Sequence, residues 1–113
     1  MVSAIDVNDA ASLTKAFAIQ SRPTLADLPR WRGVVHQVRR GDGFTWAVFD
    51  TRGAGTVSAR WPPSVDEELR AAGISPVDVE GRTLIVQGKL VADAPEPGAI
   101  AIEAPSRARL LIE

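Results

Sequence analysis

The chain has 113 residues, 45% of them apolar, with 13 basic against 14 acidic side chains and a formal net charge of −1. That length fits a single domain, and the apolar share is enough for a core and too high for disorder. One histidine and no cysteine exclude disulfides, thiolate zinc sites, multi-histidine metal centres and a cysteine nucleophile. With no apolar run near the ~20 residues of a membrane helix and no secretion signal, the expectation is a soluble, cytoplasmic protein without a cofactor or membrane contact.

In chain order, Met1 to Val7 reads as a short extended lead. Asn8 or Asp9 offers an N-cap, and Ala10, Leu13 and Phe17 recur at helical spacing until Ser21 and Pro23, which predicts a helix from Asp9 to Gln20. The connector SRPTLADLPR ends this helical lead, 1–29, and opens a barrel-like body, 30–113.

Three strands follow, Trp31 to Arg39, Phe44 to Asp50 and Thr56 to Trp61, joined by RGDG and TRGAG, whose glycines suit tight hairpins. All three tryptophans fall here, and from Arg30 to Trp61 six arginines stand against Asp42 and Asp50. Such a basic meander in a weakly acidic chain suits an anion or polyanion; arginines on the solvent side of a half-buried sheet are the plainer alternative. By period two, Trp31, Gly33 and Val35 share one face, as do Phe44, Trp46 and Val48, and Val57, Ala59 and Trp61. These larger sets are assigned to the core, which turns Arg32, His36, Thr45, Phe49, Ser58 and Arg60 outward. Gly33 permits a bulge or sharp coiling.

After Pro62-Pro63, SVDEELRAAG predicts a helix with Ser64 as N-cap, Glu67 completing a capping box and Gly73 as terminator. Asp66, Glu67 and Glu68 are read as complements of the helix dipole rather than a metal or acid-base site. Ile74 to Gly81 is a compact connection. A fourth strand, Arg82 to Ala92, points Leu84, Val86 and Leu90 inward and Thr83, Ile85, Gln87, Lys89 and Val91 outward, with Gly88 marking strong curvature. The loop DAPEPG leads to a fifth strand, Ala99 to Glu103, and Leu110 to Ile112 closes against the body.

The order β-β-β-α-β-β predicts a mainly β protein: a five-stranded OB-fold, a Greek-key barrel with a helix between strands three and four, preceded by a short N-terminal helix. A small split barrel and another α+β topology are the alternatives. RWRGVVHQVRR, FTWAVFD, GTVSARWP and VEGRTLIVQGKL together resemble the N-terminal OB domain of the exonuclease VII large subunit and related tRNA-anticodon-type OB modules. Gly33, Asp50, Gly81, Leu84, Val86 and Gly88 occupy the family's pattern positions. Arg32 and Val34 stand where the family has an acid beside the glycine, and Phe49 where it has a lysine. The resemblance implies binding of nucleic acid; it does not reach that enzyme's catalytic portion, so nuclease activity is not carried over.

Single strands are held by bases stacked on aromatic groups and by cations on phosphate. On the assigned outer face, Phe49 is the stacking group, Arg32, Arg39, Arg40, Arg60 and Lys89 are the phosphate contacts, and His36, Thr45 and Gln87 complete the surface. If the face assignment is reversed, Trp46 and Trp61 become the platform and Phe49 enters the core. Asp93 and Glu96 in DAPEPG would repel phosphate. No catalytic constellation exists: His36 has no partner, and neither glycine turn is followed by a helix. The leading expectation is therefore a non-catalytic module for single-stranded DNA or RNA. The competing one is a protein-contact module, binding a larger partner or itself through Val34, Ile85 and Val91.

Overall fold

The computed structural model describes residues 4–19, 28–52, 56–91 and 99–113. A two-residue strand β1 (Ile5–Asp6) pairs parallel with β2 (Arg30–Gly41). Helix α1 (Ala10–Ile19) starts as expected at Asp9, whose carboxylate accepts the Ser12 backbone N–H at 3.0 Å and the Ser12 hydroxyl at 2.7 Å. Those two bonds, the hydroxyl's first, hold the Asp9 carboxyl below its ordinary pKa. Gln20, most of the connector and the whole of DAPEPG lie outside the described residues.

The meander forms β2, β3 (Phe44–Phe49) and β4 (Val57–Trp61). Between β2 and β3, Asp42 and Gly43 have φ of 53° and 81°, the double left-handed conformation of a two-residue hairpin that Asp-Gly sequences favour. Helix α2 (Pro63–Ala71) follows β4, then β5 (Thr83–Gln87), β6 (Lys89–Val91), β7 (Ile100–Glu103) and β8 (Leu110–Ile112). The sheet order is β6-β7-β4-β3-β2-β5-β8, with β4 and β7 parallel. Because β5 and β6 are halves of the predicted fourth strand, interrupted at Gly88, the β6 end of this order is tied back to β5 and the sheet curls into a barrel. This is the OB-fold topology, mainly β, with α2 between its third and fourth strands. The Leu110 to Ile112 segment closes against the body as expected, and does so as a strand beside β5.

Strand β2 serves two neighbours. Its first half pairs with β5 and its second with β3, and the bend between them is a bulge at His36 rather than at Gly33. The bulge is stitched from the segment before β5: Gly81 donates its N–H to the Val35 carbonyl at 2.7 Å, and Glu80 accepts the Val38 N–H at 2.9 Å. Gly33 has another reason to be glycine. A Cβ there would lie 2.6 Å from Val7 Cγ2 and 2.7 Å from Phe49 Cδ1, so the missing side chain makes room for Phe49.

That close approach corrects the face assigned to the second strand. Thr45, Ala47 and Phe49 point inward, and Phe44, Trp46 and Val48 point out. Residues directly opposite on antiparallel strands share a face, and Thr45 lies opposite Trp61, Ala47 opposite Ala59 and Phe49 opposite Val35. The inward position of Trp61 therefore carries Thr45, not Trp46, inside. Trp31 and Trp61 are fully buried in the core with Phe49, Leu69 and Leu84; burial of ~200 Å² of ring is worth roughly 5 kcal/mol for each tryptophan as an upper figure.

Helix α2 also departs from its expected start. Pro62 is the N-cap and Pro63 the first helical residue, with no side-chain cap, because the proline ring at the N-cap carries no acceptor; Pro63 itself has no N–H to satisfy. Gly73 ends the helix as expected. With φ of 80°, it sits where Ile74 N–H reaches the Leu69 carbonyl and Gly73 N–H the Arg70 carbonyl, each at 2.9 Å.

Candidate nucleic-acid interface

The outer face of β3 and β4 carries the aromatic groups that the core does not use. Phe44 and Trp46 meet edge to face, with centroids 6.0 Å apart. Arg60, opposite Trp46 on β4, lays its guanidinium 4.2 Å from the Phe44 centroid and 5.4 Å from that of Trp46, a cation–π arrangement. The Trp46 indole N–H is tied to the Gly41 carbonyl at 2.9 Å. Arg60 is 7% exposed and Trp46 4%, so these two brace one another, and Phe44, half-buried, is the ring left open at the rim.

Two acids answer the cations. Glu103 on β7 lies 3.1 Å from Arg60 Nη2. At the barrel end, the buried Asp66 accepts the Thr45 hydroxyl at 2.6 Å and the Trp61 indole N–H at 2.7 Å, with Arg40 Nη2 3.8 Å away. Asp66 is thus a structural acceptor joining α2 to β3 and β4. Among the described residues no group of histidine and carboxylate side chains is arranged to hold a metal ion, and no helix is long and apolar enough to cross a membrane.

The residues expected to form one binding surface are dispersed. Phe49 and Thr45 are in the interior, so Phe49 offers no ring to a base. Gln87 faces outward but is buried, donating to the Leu28 carbonyl at 2.8 Å and accepting from Arg109 Nη1 at 3.0 Å. Arg32 is exposed on the β1-β2-β5-β8 side, in a cleft shared with Asp6, Asp50, Arg52 and Glu113. His36 is exposed at the bulge, and Arg40 is exposed at the barrel end. Arg39 and Lys89 are exposed on the outer face with Arg60, Arg39 opposite Trp46 and Lys89 opposite Glu103. Of the proposed apolar patch, Val34 is exposed, Ile85 is buried opposite Leu111, and Val91 is half-buried.

The reversed face assignment, with Trp46 outward and Phe49 in the core, holds for this strand, though Trp61 stays inside; Phe44 and Glu103 were not singled out by sequence. A signal for Phe44 and Trp46 existed: the Asp42-Gly43 loop sets Gly41 opposite Phe44, and hence Arg39 on the same side as Trp46. It was ambiguous because Arg40, the next residue, is equally polar.

Beside Phe44 runs a groove of about 600 Å³ lined by Leu28, Pro62, Lys89, Glu103, Ala104 and Pro105. It extends the outer face toward Lys89.

No family model matches the chain, nor does any curated protein, so the likeness to exonuclease VII rests on its short motifs alone. Among solved structures, a chain of the crystal structure of the S. pombe Stn1-ten1 complex is similar, with a TM-score of 0.50 and 17% identity over 77% of this chain and 61% of that one. Likeness at that identity bears on the fold, and it agrees with the OB-fold barrel traced above.

Proposed function

We propose that the chain is a non-catalytic OB module that binds single-stranded DNA or RNA across the outer face of β3 and β4. Phe44 is the stacking surface, and Arg39, Lys89 and Arg60 are the phosphate contacts. The observation that carries this reading is the open ring of Phe44 set against the Arg60 guanidinium on a barrel face where OB-folds take oligonucleotides. Titration of a fluorescent single-stranded oligonucleotide at low and high salt tests it. Phe44→Ala is expected to weaken binding about tenfold, since stacking contributes about 1 to 3 kcal/mol per base, while leaving the fold intact. Absence of binding at low salt removes the reading.

The second reading, a protein-contact module, is favoured by the groove beside Phe44, whose walls Leu28, Pro62, Ala104 and Pro105 suit an apolar peptide. The similar solved chain comes from a complex of two proteins, which fits either reading. Sedimentation of the purified chain separates them: a monomer that binds oligonucleotide counts against the second.

A further inference from the structure

We infer that Glu103 is an internal competitor for the phosphate of a bound strand, so that the interface is weakened by its own carboxylate; this rests on the single-strand reading above. Arg60 holds a guanidinium against the ring on which a base would stack, where the adjoining phosphate would arrive. Its Nη2 and Nε lie 3.1 and 3.2 Å from one oxygen of Glu103. Strand register places the same residue opposite Arg60 on β4 and opposite Lys89 on β6, so a single acid stands between two cations of the face.

The two partners are unequally held. The Arg60 side chain is 9% exposed and lies over Phe44 and Trp46, whereas that of Glu103 is 33% exposed. Glu103 is therefore the partner that can swing into water, leaving the guanidinium on its rings to donate to a phosphate oxygen in place of a carboxylate oxygen. The exchange conserves the ion pair but has to displace a ligand already present, and any Glu103 that stays repels the incoming strand.

Glu103→Gln keeps the size of the side chain and removes its charge. It is expected to bind a labelled single-stranded oligothymidylate about fivefold tighter than the parent chain at low salt, with the gain fading as salt rises. The slope of log K against log salt should steepen by about 0.7, because the Arg60–phosphate contact is then no longer offset by a carboxylate that the exchange leaves unpaired. Equal or weaker binding by the variant, with parent binding intact, overturns the role of Glu103 and leaves the single-strand reading standing. No binding by either chain removes that reading and this inference with it. The parent chain supplies a second readout that does not depend on how the variant folds. The Arg60 Nε–H resonance is expected to shift on saturation with the same oligonucleotide, and a resonance that stays in place overturns the exchange.

Discussion

The Asp66 carboxylate decides how the barrel end is closed. It takes the hydroxyl of Thr45 and the indole N–H of Trp61, both donors buried with it. Truncation by Asp66→Ala leaves two interior donors with no acceptor, and hydrogen bonds to charged groups are worth about 1.5 to 3 kcal/mol. The variant is expected to lose about 3 kcal/mol of stability by urea unfolding at an unchanged m-value, and Asp66→Asn less than that. An Asp66→Ala chain as stable as the parent would show that water reaches these donors. The same residue explains why the second strand was read inside out. Side-chain size assigned Phe44, Trp46 and Val48 to the core, and that choice turned Thr45 toward solvent. The acceptor that lets it sit inside comes from a helix 21 residues further on, a long-range partner that periodicity does not contain. Phe49 was misread for the matching reason: the space it fills is created by Gly33 on another strand.

At the scale of elements, Gly88 marks a place where two backbones nearly touch. Gly88, between β5 and β6, was expected to interrupt the strand and does, but the cause is its neighbour rather than curvature alone. A Cβ there would collide with the Glu103 carbonyl oxygen and lie 2.6 Å from its carbon. Since the obstruction is backbone, relief requires β7 to move away from β6, breaking the pairing that closes the barrel. Gly88→Ala is therefore expected to cost about 3 kcal/mol, at the upper end for overpacking. Gly41→Ala, where a Cβ meets nothing within 4 Å, is expected to stay within about 0.5 kcal/mol. Thermal unfolding of the two variants side by side checks this, and similar melting points would refute the account of Gly88. Element order, the Asp-Gly turn and the Gly73 stop were legible because each is local chemistry. The bulge at His36 was not, since it is imposed by hydrogen bonds from Glu80 and Gly81.

For the molecule as a whole, the distribution of charge limits what it can bind more than its total does. The basic meander suggested by sequence is wrapped around a barrel, and wrapping separates its arginines: Arg32 goes to the β1-β2-β5-β8 side, Arg40 to the end beside Asp66, and Arg39 to the outer face with Arg60. Among the described residues, Arg39, Lys89 and an Arg60 shared with Glu103 are the cations of that face that can meet phosphate, so they neutralise a bound single strand at two or three positions. With a slope of about −0.7 per phosphate, log K should fall with log salt at no more than about −2. A duplex keeps its bases stacked within it and presents none to Phe44, so it loses the stacking contribution and retains only these few charges. Its affinity is expected to be at least about tenfold lower than that of a single strand of equal length. Titrations of both forms across a salt series test the two expectations together. A slope near −5, or a duplex bound as tightly as a single strand, would mean that cations from several sides of the barrel act at once, and would move the interface away from Phe44.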